Sequence, residues 1–181
     1  LRKLLLLIFL FAVLLGCVQD EDELKSETNV SEEKLLTIKE IAEEIKKNPE
    51  EFLSPYDGFS YDTVDIIVEN NKITVRAISK DLPGEDFYLF VYENGTLTLK
   101  SYLLEAIPLS VREKAISVAL SNETIYENAN GYVTVRRVLP HTAAKFYLPK
   151  ELFSVTWHGD RMVSALVDLE EGKVVRIYIS E

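Results

Sequence analysis

Thr37-Ile38-Lys39-Glu40-Ile41-Ala42-Glu43-Glu44-Ile45 and, 73 positions later, Ser110-Val111-Arg112-Glu113-Lys114-Ala115-Ile116-Ser117-Val118 carry one grammar. Each opens with a hydroxyl residue three positions before a glutamate, the pattern in which the two side chains close a helix N-terminus reciprocally. In the first, Leu36 and Ile41 stand where a hydrophobic staple would form, and Ile38, Ile41, Ala42 and Ile45 repeat at the 3, 4 spacing of one buried face. In the second, Val111, Ala115, Val118 and Ala119 do the same, after Pro108 and before Ser121-Asn122. Asn48-Pro49 ends the first helix or restarts a short turn.

Strand patterns follow each helix. After the first they cover 64–68, 73–78, 87–92 and 97–103, separated by Asn70-Asn71, Pro83-Gly84 and Asn94-Gly95. After the second they cover 132–139, 145–148, 152–158, 162–169 and 174–179. Glu93-Asn94-Gly95 and Glu170-Glu171-Gly172 close the two sets at an offset of 77, which implies a small insertion in the second copy. The fold class expected is α+β, as two related units at 35–106 and 107–181, each packing a helix on an antiparallel sheet.

The second unit resembles a PepSY-type domain, a family of cystatin-like helix-on-sheet modules. The residues that carry the likeness are the helix Glu113-Lys114-Ala115-Ile116-Ser117-Val118-Ala119-Leu120, the strand end Ser154-Val155-Thr156-Trp157, and the hairpin from Val163-Ser164-Ala165-Leu166-Val167-Asp168 to Gly172-Lys173-Val174-Val175. Lys114 interrupts the family's Glu-Ala step, and the first unit looks like a more diverged relative. The resemblance implies an extracytoplasmic, non-catalytic module similar to those that restrain or accompany proteases.

Upstream, Arg2 and Lys3 precede an apolar run at 4–18, followed at once by Gln19-Asp20-Glu21-Asp22-Glu23. That is the layout of a signal peptide. Fifteen helical residues span roughly 22 Å, short of the ~30 Å hydrocarbon layer, so a retained membrane helix is the weaker reading. Leu14-Leu15-Gly16-Cys17 resembles a lipobox, which implies cleavage after residue 16 and a lipid on Cys17, the chain's one cysteine. Residues 17–34 hold seven acids against Lys25 and Lys34 and read as a solvated tether. The localisation expected is the outer side of a cell membrane, with membrane lipid as the first partner.

Composition narrows the rest. Thirty acidic against twenty basic residues, net -10 over 181, make nucleic acid a poor partner. One cysteine excludes an internal disulfide, and His141 and His158 alone leave little for a metal centre, so neither metal nor cofactor is expected. No nucleophile elbow, zinc-protease helix, phosphate loop or calcium loop occurs. Catalysis would have to rest on carboxylates, and spacing selects none among thirty, so no catalytic residue is assigned.

Four local features remain. Tyr56, Phe59 and Tyr61 lie in Pro55-Tyr56-Asp57-Gly58-Phe59-Ser60-Tyr61-Asp62, either as a binding loop or as aromatics folded back to plug a helix-sheet sandwich. His158 in Trp157-His158-Gly159-Asp160 reads as part of a hairpin turn with a left-handed Gly159 rather than as a base beside Asp160, and His141 as a loop residue. Trp157 alternates with Val155 and Phe153 and is expected in the core. Asn29, Asn94 and Asn122 head glycosylation sequons. The function expected is a binding or regulatory module that restrains or senses an envelope protease, with a small-molecule or glycan-binding lipoprotein as the alternative.

Overall fold

A computed structural model describes residues 37–180. The apolar run, Cys17, the acidic tether, Asn29 and Leu36 lie outside the described residues. The first helix, α1 (Ile38–Lys47), begins as its sequence requires. Thr37 Oγ1 accepts from Glu40 N at 3.3 Å, and a Glu40 carboxylate oxygen accepts from Thr37 N at 2.7 Å. Ala42 and Ile45 face inward, and Asn48 ends the helix before α2 (Pro49–Phe52), which has proline at its first position, where no N–H is missed.

Four strands follow, β1 (Thr63–Glu69), β2 (Lys72–Ile78), β3 (Asp86–Glu93) and β4 (Thr96–Leu104), forming an antiparallel meander in chain order. Its tight turns use residues that tolerate positive φ, Asn70 at 53° in one and Asn94 at 51° with Gly95 at 78° in the other. Alternation puts Ile73, Val75, Ala77, Tyr88 and Phe90 on the face that packs with Ala42 and Ile45.

The second half repeats the arrangement. Helix α3 (Leu109–Leu120) and the short α4 (Glu123–Asn128) precede β5 (Tyr132–Val138), α5 (Pro140–Ala143), β6 (Leu152–His158), β7 (Met162–Asp168) and β8 (Lys173–Ile179), and the strands again form an antiparallel meander in chain order. The molecule is therefore mixed α+β with two four-stranded antiparallel sheets. Helix α1 rests mainly on β1, whereas α3 reaches all four strands of its sheet, with Ala115 and Ala119 small enough for close approach over Val135, Val155, Trp157, Val163 and Ala165.

Two expectations are corrected. Ser110 does not cap α3. The helix starts at Leu109 with Pro108 as its N-cap, whose carbonyl accepts from Val111 N and Arg112 N at 3.0 Å, so Ser110 already lies inside the first turn. The stretch 145–148 is not a strand. The turn that leaves α5 closes its amides locally, with Lys145 N donating to Thr142 O at 3.2 Å, and Phe146 N and Tyr147 N to Ala143 O at 3.0 and 2.8 Å, so these three amides are not free for a ladder.

The halves exchange side chains. Leu139, just past β5, is buried in the first core and gives its N–H to Tyr102 Oη at 3.0 Å, while Tyr56 packs against the second core. Arg136 on β5 pairs with Glu105 after β4 at 2.8 Å. The described residues accordingly belong to one compact unit.

Candidate functional site

The aromatic loop splits between two environments. Phe59 N bonds Tyr56 O at 2.9 Å across Asp57 and Gly58, which has φ of 80°. Tyr61 leaves this turn for a buried chain of hydroxyls, with its Oη 2.6 Å from Asp86 Oδ2 and 2.7 Å from Tyr88 Oη, while Tyr88 Oη accepts from Ser54 N at 3.1 Å. A phenol has a single proton. Tyr61 spends its own on Asp86, so Tyr88 must donate to Tyr61. Asp86 is fully buried and its other oxygen accepts from Ala106 N at 2.8 Å. Burial pushes the Tyr88 phenol up to about 12 and raises Tyr61 still further. Burial also raises Asp86, against the opposing donors Tyr61 and Ala106 N.

Tyr56 and Phe59 stay together, with ring centroids 6.0 Å apart. Over Tyr56 lies the guanidinium of Arg137, 5.4 Å from the ring centre and only 4% exposed. It donates to Glu151 at 2.7 Å, to Ser54 O at 3.0 Å and to Pro55 O at 3.3 Å. Thus β5 clamps the main chain of the aromatic loop. Beside Tyr56 opens a groove of about 330 Å³, lined by the apolar Val111, Phe153 and Leu169 and by Lys114, Glu151 and Glu170.

Near that groove the last hairpin is anchored by Asp168, which is fully buried. It receives Lys150 Nζ at 2.5 Å, Glu170 N and Glu171 N at 3.1 Å, and Tyr147 Oη at 3.4 Å. Burial works to raise its pKa, but the Lys150 ammonium and the two amides outweigh it and hold the carboxyl below the usual range. The same contact raises Lys150.

Neither histidine forms part of an acid-base constellation. His141 meets the edge of Tyr102 at 5.9 Å. His158 is the last residue of β6 rather than part of the turn. Its ring stacks on Tyr132 at 4.5 Å and its Nε2 lies 3.0 Å from Thr134 Oγ1. Gly159 does not take the left-handed conformation expected of it. A Cβ there would fall 1.5 Å from Asn130 Oδ1, so close approach of Asn130 is what requires glycine. Trp157 is in the core as its alternation implies, 6% exposed. Asn94 is exposed in its turn, and Asn122 caps α4 by accepting from Ile125 N at 3.3 Å.

Pairing register exposes a feature that no local window contains. Thr134, Thr156, Ser164 and Tyr178 are successive partners across β5, β6, β7 and β8, on the face away from α3. Tyr132, His158 and Met162 form the row on one side, and Arg136, Ser154, Leu166 and Arg176 the row on the other. At one end of this face Leu152 and Leu166 are buried and Tyr147 and Lys150 reach Asp168, while Tyr132, Met162 and Tyr178 stay exposed. The alternation was readable in each strand, but the register that joins them was not. Among the described residues no cluster of three or more His, Cys, Asp or Glu could hold a metal, and no helix is long and apolar enough to cross a membrane. No family model, curated protein or solved structure matches the chain.

Proposed function

We propose that the chain is a non-catalytic binding module held on the outer side of a cell membrane by lipid on Cys17, with its two halves related as PepSY-like units. The observation that supports binding over catalysis is how the buried ionisable groups are spent. Asp86, Arg137 and Asp168 are each engaged by hydroxyls, amides, carbonyls or an opposite charge, and each fixes a loop. Asp86, a carboxyl whose pKa burial raises on balance, is sealed from substrate. What remains open is contact surface. In its sharper form the partner is an envelope protease that the module restrains.

The test uses the full-length chain in detergent, crosslinked to solubilised envelope from its own source. Recovery of a membrane protease whose turnover falls on adding the purified chain is the expected result. Recovery of no specific protein would overturn the protease reading. Cys17→Ser should release the chain from membranes or leave its leader attached, and unchanged fractionation and migration would overturn the lipid anchor. A glycan-binding role is the second reading, favoured by the row of hydroxyls across the second sheet.

A further inference from the structure

We propose that the open face of the second sheet binds an acidic glycan, a chain of sugars bearing carboxylates. The inference rests on the binding-module reading and gives it a ligand class. On this face the main-chain groups of β6 and β7 are consumed by ladders on both sides, so a ligand meets side chains only. Those side chains are hydroxyls in register. Thr134, Thr156, Ser164 and Tyr178 cross four strands, a run of about 14 Å at the usual strand spacing. Thr156 and Ser164 bond each other at 2.8 Å, and Thr134 meets His158 at 3.0 Å and donates to Thr156 O at 3.5 Å, which leaves a lone pair on each oxygen and one unspent proton in the Thr156–Ser164 pair. An apolar partner would bury this row without replacing its water, at a cost per unpaired group that rings and methionine would not recover. A polyol replaces that water group for group. Tyr132, 67% exposed, and Tyr178, 48% exposed, offer ring surface on opposite edge strands of the sheet for the C–H faces of sugars.

Charge selects the kind of sugar. In a chain of net -10, the three rows contain no carboxylate. Arg136 is already occupied by Glu105. Arg176 pairs with no carboxylate among the described residues. Its guanidinium instead lies over Phe146 at 5.9 Å and Tyr178 at 5.4 Å, which orient its fork and leave its N–H edges for an anion. A peptide strand would find its main-chain partners at a sheet edge, not on this face.

The test is calorimetric titration of the detergent-solubilised full-length chain with galacturonate oligomers, and with neutral maltodextrins of equal length. Saturable binding is expected for the acidic oligomers, at least tenfold tighter than for the neutral ones and weakening with salt. Arg176→Gln, an exposed change on an edge strand, should weaken it roughly tenfold, the scale of one charge-assisted hydrogen bond. Tyr132→Ala should weaken it while lowering Tm by only a few degrees, roughly the scale of the lost stack on His158. Absence of acidic-oligomer binding, equal affinity for the neutral series, or an Arg176→Gln variant that binds like the parent overturns the inference. If the acidic oligomers fail to bind while Arg176→Gln still captures an envelope protein, the glycan ligand falls and the binding module stands. If neither ligand nor protein is bound, both fall.

Discussion

Replacing Arg137 by alanine should cost the protein about 3 kcal/mol, and the pieces of that figure are unequal. The ion pair with Glu151 is the smallest, because Glu151 is 32% exposed and water takes over most of what the guanidinium supplied. The carbonyls of Ser54 and Pro55 matter more, since each loses a charged donor in a half-buried setting, at about 1 kcal/mol or more apiece. Loss of the cation over Tyr56 adds about 0.5 to 1 kcal/mol. For a unit of this size the sum lowers Tm by roughly 10 °C. Far-UV circular dichroism follows the whole chain, while Trp157, the one tryptophan, reports the second core by fluorescence. The parent should give coincident transitions. In Arg137→Ala they should separate, because the clamp joins β5 of one half to the loop of the other. Arg137→Lys keeps the charge but reaches one acceptor at a time, and should recover about half the loss. A Tm for Arg137→Ala within about 2 °C of the parent, with coincident probes, would refute the clamp.

Asp168→Asn and Asp86→Asn should have opposite pH signatures. The Asp168 carboxyl lies below its ordinary value when folded, so its contribution is full above the usual carboxylate range and is lost as pH falls through the depressed folded value. Urea midpoints of Asp168→Asn should therefore be lower than the parent's at neutral pH and converge in strong acid. The Asp86 carboxyl lies above its ordinary value, so the parent gains stability as pH falls from that raised value towards the usual range, and Asp86→Asn should flatten that limb. Thr37→Ala should cost about 1 kcal/mol while Ser110→Ala costs almost nothing, as chemical denaturation would read, since one hydroxyl caps a helix and the other does not. Gly84→Ala should be far worse than Gly172→Ala in the same assay. Both have positive φ, at 89° and 62°, but a Cβ at 84 would lie 2.3 Å from Glu105 O, whereas at 172 it would meet nothing within 4 Å and cost about 1 kcal/mol.

Elements with a strong period were legible from residues alone. The 3, 4 spacing around Ile41 and Ile45 and the alternation through Ile73, Val75 and Ala77 each specify a face without reference to the rest of the chain. Failures came where two local signals competed. Phe146 and Tyr147 are good strand residues, yet Pro140 starts a helical turn whose closing bonds take their amides. Ser110 and Glu113 match a capping pair, yet Pro108 starts the helix earlier. The functional groups were hidden for a different reason. Tyr61 and Asp86 are 25 positions apart, and Arg137 is 83 from Ser54, separations at which only the completed fold makes them neighbours. Tyr56, Phe59 and Tyr61 read in sequence either as one binding loop or as one plug folded back on a helix-sheet sandwich. The structure sends Tyr61 into the first half's polar network and leaves Tyr56 and Phe59 together, with Tyr56 under the second half's arginine.

That division bears on where binding can occur. A loop whose carbonyls, hydroxyl and ring are all held by buried partners is too costly to remodel around a ligand, since each broken contact leaves a desolvated group behind. The hydroxyl face carries no such obligation. Its threonines and serine are half-buried, its rings are exposed, and its strands are held from the other side by α3 and the core beneath it. A ligand there needs only to displace water from an already rigid surface, which keeps the ordering cost of association low. Rigidity supplied by one face of the sheet and chemistry offered by the other is the reason the second module, rather than the aromatic loop, is the place to look for a partner.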